Sequence, residues 1–100
     1  MAETLVAETK LSGESDPVPV SGANMPYSFH AAPPLESGET ANIQFLGGNG
    51  TFYPLWLDGF RVQLDTTRRI QTIYGPGIYR VVKEATSGPT GIYGSSEANN

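Results

Sequence analysis

The chain has 100 residues, six basic against ten acidic side chains for a net charge of −4, no cysteine, 12 Gly and 8 Pro. That length allows one domain. The missing cysteines exclude disulfides, thiolate metal sites and cysteine nucleophiles. The acidic balance argues against a phosphate backbone as partner, and no apolar run approaches the roughly 18–20 residues of a membrane span.

In chain order, residues 1–16 come first and read as a flexible acidic arm, ordered only by a partner. Glu3, Glu8, Glu14 and Asp16 face a single Lys10 there, and TLVAETKLS passes equally for one short helix or an extended segment. MAETLVAETK has neither a basic start nor an apolar stretch, so it is not expected to act as a secretory signal. The protein is expected to stay in the cytoplasm where it is made, or to leave as part of something larger. Residues 17–100 read as a single β-sandwich domain. Five prolines (Pro17, Pro19, Pro26, Pro33, Pro34) mark VPVS and PYSFHA as edge-type strands, because proline removes a ladder donor.

From Ala41 the pattern is strand, turn, strand. ANIQFLG alternates, and GGNG supplies a hairpin turn because Gly and Asn tolerate positive φ. TFYPLWL is the partner strand, with Pro54 marking an edge or bulge. Asp58-Gly59 turns, FRVQLD alternates, TTRR turns, and RIQTIY, IYRVVKE and GIYG follow. Seven or eight antiparallel strands at this spacing predict an all-β sandwich. The alternation predicts an inward set of Phe45, Phe60, Val62, Leu64, Tyr79 and Val81. Apolar groups on both faces of IYRVVK predict a central strand, covered on both sides or buried against a neighbouring subunit.

Residues for chemistry are few. One histidine, His30, cannot build a triad or a histidine metal cluster without carboxylates doing the rest. Asp58 and Asp65 suit turns, and no calcium-loop pattern surrounds them. GGNG and GPTG lack the lysine and following helix of a nucleotide loop. Asn49-Gly50-Thr51 matches a glycosylation sequon, but the Asn-Gly pair reads better as a turn. No enzyme class, cofactor or metal gains support. Ile-Tyr recurs at 73–74, 78–79 and 92–93, each time where a strand meets a glycine turn. The spacings of five and fourteen are not a repeat. The pairs read as strand architecture, as an aromatic platform, or as protein-contact anchors, a role that Tyr and Arg favour. Arg68, Arg69, Tyr74 and Tyr93 are the candidate partner-binding residues.

The stretch from Gly47 to Ser95 resembles a recurrent type of small tailed-bacteriophage structural protein. The matching positions are Gly50, Phe52, Pro54 and Leu55, then Pro76, Gly77, Tyr79, Arg80 and Val81, then Gly91, Ile92 and Tyr93. What the resemblance implies is a β-sandwich of the virion, a decoration or cement protein on the capsid surface, assembled in the host cytoplasm. Its partner would be the major capsid protein or another shell protein, and it would be a homo-oligomer on the particle, with no nucleic acid and no membrane involved. It implies no catalytic residue, since the shared pattern is one of strands and turns. The alternative is a carbohydrate- or receptor-binding module of a tail or fibre, with Tyr53, Trp56, Tyr74, Tyr79 and Tyr93 as stacking residues.

Overall fold

The computed structural model describes residues 2–23 and 25–96. They form twelve strands and no helix: β1 (Ala2–Thr9), β2 (Gly13–Glu14), β3 (Val18–Val20), β4 (Tyr27–Ala32), β5 (Ala41–Leu46), β6 (Phe52–Pro54), β7 (Trp56–Leu57), β8 (Phe60–Arg61), β9 (Gln63–Leu64), β10 (Ile70–Ile73), β11 (Gly77–Lys83) and β12 (Thr90–Ser96). One sheet runs β1-β12-β4-β10. The other runs β2-β11-β5-β6, with β3 also on β11 and β9 also on β5, and β7-β8 is a separate two-stranded ribbon. All pairings are antiparallel. The all-β sandwich expected from the alternation is therefore present. β2 with β3, and β6 with β9, each share one line beside a longer strand, so the two sheets present four lines apiece.

The core lies between the sheets. Tyr27 and Phe29 of β4, Ile73 of β10, Ile92 of β12 and Val6 of β1 meet Val18 and Val20 of β3, Ala41 and Ile43 of β5, Leu64 of β9, and Tyr79 and Val81 of β11. Period-two alternation puts these groups on one face of each strand. β11 is internal in its sheet, between β5 and the β2/β3 line. Its outward face is only partly covered, by Arg80 lying over the Phe52 ring at 4.3 Å.

Residues 1–16 are not a loose arm over the described stretch. β1 is an edge strand in register with β12 (Thr4 beside Tyr93, Val6 beside Ile92), and Val6 is in the core. The connection after it is tied down. Lys83, fully buried, donates from Nζ to the Leu11 carbonyl at 2.7 Å and to the Glu84 carbonyl at 3.2 Å. Thr86 N–H donates to the Lys10 carbonyl at 2.9 Å. The acidic composition was legible, but a strand with one buried valine looks the same as a solvated arm until its partner strand is known.

Two inward assignments are also corrected. Val62, Leu64, Tyr79 and Val81 are buried, but Phe45 and Phe60 are exposed. The reason for Phe60 is a diversion of the ladder. Leu55 N–H donates to the Ile43 carbonyl at 3.1 Å and Ile43 N–H to the Val62 carbonyl at 3.0 Å, while Val62 N–H turns aside to the Leu55 carbonyl at 2.8 Å. Residues 56–61 are thus pinched out of the sheet as the β7-β8 hairpin, and Phe60 leaves with them. Phe45 points to the core side, but it lies at the end of β5 where it faces Tyr53 (ring centroids 6.0 Å apart) rather than the opposite sheet.

Candidate protein-interaction surface

The turn before β10 is built by one carboxylate. Asp65 Oδ1 accepts from Thr67 N–H at 3.0 Å, Thr67 Oγ1 at 3.0 Å and Arg68 N–H at 2.7 Å. Its Oδ2 accepts from Gln63 Nε2 at 3.3 Å and pairs with the Arg68 guanidinium at 3.5 Å. Partial burial pushes this carboxyl up, but the bonds from Arg68, Gln63 and Thr67 together hold it below the usual carboxylate range. The Arg68–Asp65 pair is half open to water and worth little by itself. Its consequence is geometric: Arg68 and Arg69 sit on a preformed turn, both exposed.

These arginines lead into Ile70, which is 64 % exposed, and Tyr74, 73 % exposed, follows the far end of the same strand. β10 is the outermost strand of its sheet. Gln71 Nε2 donates to the Gln63 carbonyl at 2.8 Å and ties this edge to the opposite sheet. Across the outer face, Ile70 lies beside His30 and His30 beside Tyr93. The His30 and Tyr93 rings stack with centroids 5.6 Å apart. Of the four residues expected to bind a partner, the structure places Arg68 and Arg69 before one end of β10 and Tyr74 after the other, roughly 17–20 Å away at the rise of an extended chain. Tyr93 is half-buried two strands inward. The four border one edge and one face rather than a pocket.

Sequence reasoning named Trp56 only as a sugar-stacking residue of the alternative reading and missed the exposed group it belongs to. On the β7-β8 hairpin Trp56 pairs with Arg61 and Leu57 with Phe60. Trp56, Leu57 and Phe60 are 58, 55 and 64 % exposed. Asp58 (φ 53°) and Gly59 (φ 81°) form the tip with positive φ at both central residues, the geometry of a tight two-residue hairpin turn. The signal was in the sequence, an Asp-Gly pair between Trp-Leu and Phe-Arg, but alternation alone read Phe60 as core. The aromatics expected to stack on a sugar are dispersed. Tyr79 is buried, its hydroxyl donating to the Gly75 carbonyl at 2.9 Å. Tyr53 lies at the open end of β6, where its hydroxyl accepts from Asn49 Nδ2 at 2.7 Å.

Among the described residues no three His, Asp or Glu side chains converge as a metal-holding group. Comparison of the chain with protein-family models, with curated proteins and with solved structures returned no match.

Proposed function

We propose that this protein is a non-enzymatic virion component, a decoration or cement protein of the tailed-bacteriophage type that its sequence resembles, which binds an assembled capsid shell and stabilises it. The observation that carries this reading is the β10 edge. Arg68, Arg69, Ile70 and Tyr74 stand exposed along the outermost strand of one sheet, on a turn that Asp65 holds rigid. Arg and Tyr are favoured in protein interfaces, and an edge strand offers unpaired backbone groups to a neighbouring chain. A specific interface buries about 1,200–2,000 Å² in total, and this edge adjoins the outer face that carries His30 and Tyr93. Many copies on one lattice then stabilise the assembled state by mass action.

The test is the robustness of the shell. Shells lacking the protein are expected to assemble but to fail earlier on heating or in low salt, and added protein restores them. Arg68→Glu with Arg69→Glu is expected to slow binding and to change its salt dependence without altering the melting temperature, as exposed rim charges do. Equal robustness of matched bare and decorated shells overturns the reading. The second reading, a glycan- or receptor-binding module, is favoured by one observation, the solvent-exposed indole of Trp56. It predicts that Trp56→Ala abolishes binding to glycans or cells and leaves shell stability untouched.

A further inference from the structure

The two lateral edges of the sandwich are opposite in character. At one edge, where β10 stacks near β9, stand Arg61 of the hairpin and Arg68 and Arg69 of the turn, with Trp56, Leu57 and Phe60 beside Arg61. Asp65 is engaged by that turn, and Asp58 is at the hairpin tip. At the other edge, β1 and β3 diverge and leave a cleft of about 390 Å³ lined by Glu3, Leu5, Asp16, Pro17, Pro19 and Tyr27 among others. Glu8 lies on β1 and Glu14 on β2, in line with β3, with Glu14 bridged to Arg80 at 3.1 Å. The cleft falls within the roughly 300–1,000 Å³ typical of sites that enclose an organic group.

We infer that this cleft receives the β7-β8 hairpin of a second copy of the chain, so that copies join head to tail. Three features match. Asp16 at the cleft complements Arg61, the charged neighbour of Trp56 on the hairpin, with Glu3, which accepts from the Tyr27 hydroxyl, beside it. The cleft wall is the extended segment Asp16-Pro17-Val18-Pro19, and proline-containing extended segments are recognised by aromatic side chains packed on them, here the indole of Trp56, which shares one face of the hairpin with Arg61. Pro17 and Pro19 have no N–H to give to a further strand, so the β3 side of this edge is poorly suited to strand pairing and open to side-chain docking. Donor and acceptor surfaces lie at opposite edges of one molecule. The contact is therefore heterologous, and it propagates to a ring or a chain of copies rather than closing as a two-fold dimer. It does not depend on the shell reading, because the hairpin and cleft are distinct from the residues along β10.

Sedimentation of the purified protein at concentrations up to about 1 mM, the weak end of specific association, tests this. The wild type is expected to form species larger than a dimer as concentration rises, less so in high salt. Trp56 is the only tryptophan, so its emission should move to shorter wavelength as the indole leaves water. Trp56→Ala and Asp16→Arg, both at exposed positions, are each expected to weaken association about tenfold or more with unchanged melting temperature. Mixed together they leave one intact hairpin and one intact cleft, and should give dimers that grow no further. A wild type that stays monomeric with unshifted emission overturns the inference. So does a dimer indifferent to Asp16→Arg, which would place hairpin against hairpin. Both variants should still bind shells as separate copies; loss of wild-type shell binding with self-association intact would strike the shell reading alone.

Discussion

Lys83 continues the buried face of β11 after Tyr79 and Val81, and its ammonium is satisfied by the Leu11 and Glu84 carbonyls at the end of the sandwich. Burial pushes this amine down, and the Glu39 carboxylate offsets part of that shift. Lys83→Met keeps the apolar stem but leaves two carbonyls without their donor. A loss of about 1–3 kcal/mol is expected in denaturant unfolding, which would release the β1–β2 connection first. Gly94 is a second position set by a close approach. A Cβ there would overlap the phenol of Tyr27, which passes beneath β12 so that its hydroxyl donates to Glu3 of β1. Gly94→Ala should therefore cost about 1–3 kcal/mol as overpacking, and a melting temperature equal to the wild type would contradict that placement. Asp65 supplies the pH dependence. Its folded pKa is depressed, so its contribution is complete above the unfolded value near 4 and is lost as pH falls through the lower folded value. Stability measured at neutral pH and again near pH 3 should fall more in the wild type than in Asp65→Ala.

At the scale of elements, both broken lines have local causes. On the β2/β3 line, Ser15 N–H donates to the Val81 carbonyl at 2.9 Å, and Val81 N–H donates to Ser15 Oγ at 3.0 Å. The hydroxyl takes the place of a backbone carbonyl and lets the chain bend toward Pro17. Ser15→Ala strands a buried N–H, and about 1–3 kcal/mol is the expected loss. On the β6/β9 line the hairpin leaves the sheet, so the two phenylalanines Phe29 and Phe60 should behave differently. Phe29→Ala, at a fully buried site, should cost about 3–5 kcal/mol. Phe60→Ala should stay within about 0.5 kcal/mol of the wild type. Turns were the legible part here. Asp58-Gly59 and the Gly-Asn run at 47–50 lie where their residue chemistry put them. The alternation of FRVQL was legible too, and Val62 and Leu64 obey it. What the alternation did not contain was the bond from Val62 to Leu55, which takes Phe60 out of the sheet.

For the whole molecule, the decisive strand is the first. β1 closes one edge of its sheet and delivers Val6 to the core. Removing residues 1–9 exposes Ile92 and β12 as well, and burial of Val6 alone is worth about 1.5–3 kcal/mol. The truncated chain is expected to melt many degrees lower or to be unfolded at room temperature, as circular dichroism would read. A truncation that melts like the full chain would restore the free-arm description. The sequence by itself determined the all-β class, the turns and most of the strands after residue 17, and the apolar face of β5, β9 and β11. Those follow from steric preferences and a period of two, which act between near neighbours. The tertiary structure decided which apolar faces are covered, that residues 2–9 belong to the sandwich, and that Trp56, Leu57 and Phe60 stand in water. Coverage depends on which distant strand lies alongside, and a single strand's alternation marks two faces without saying whether anything lies against either.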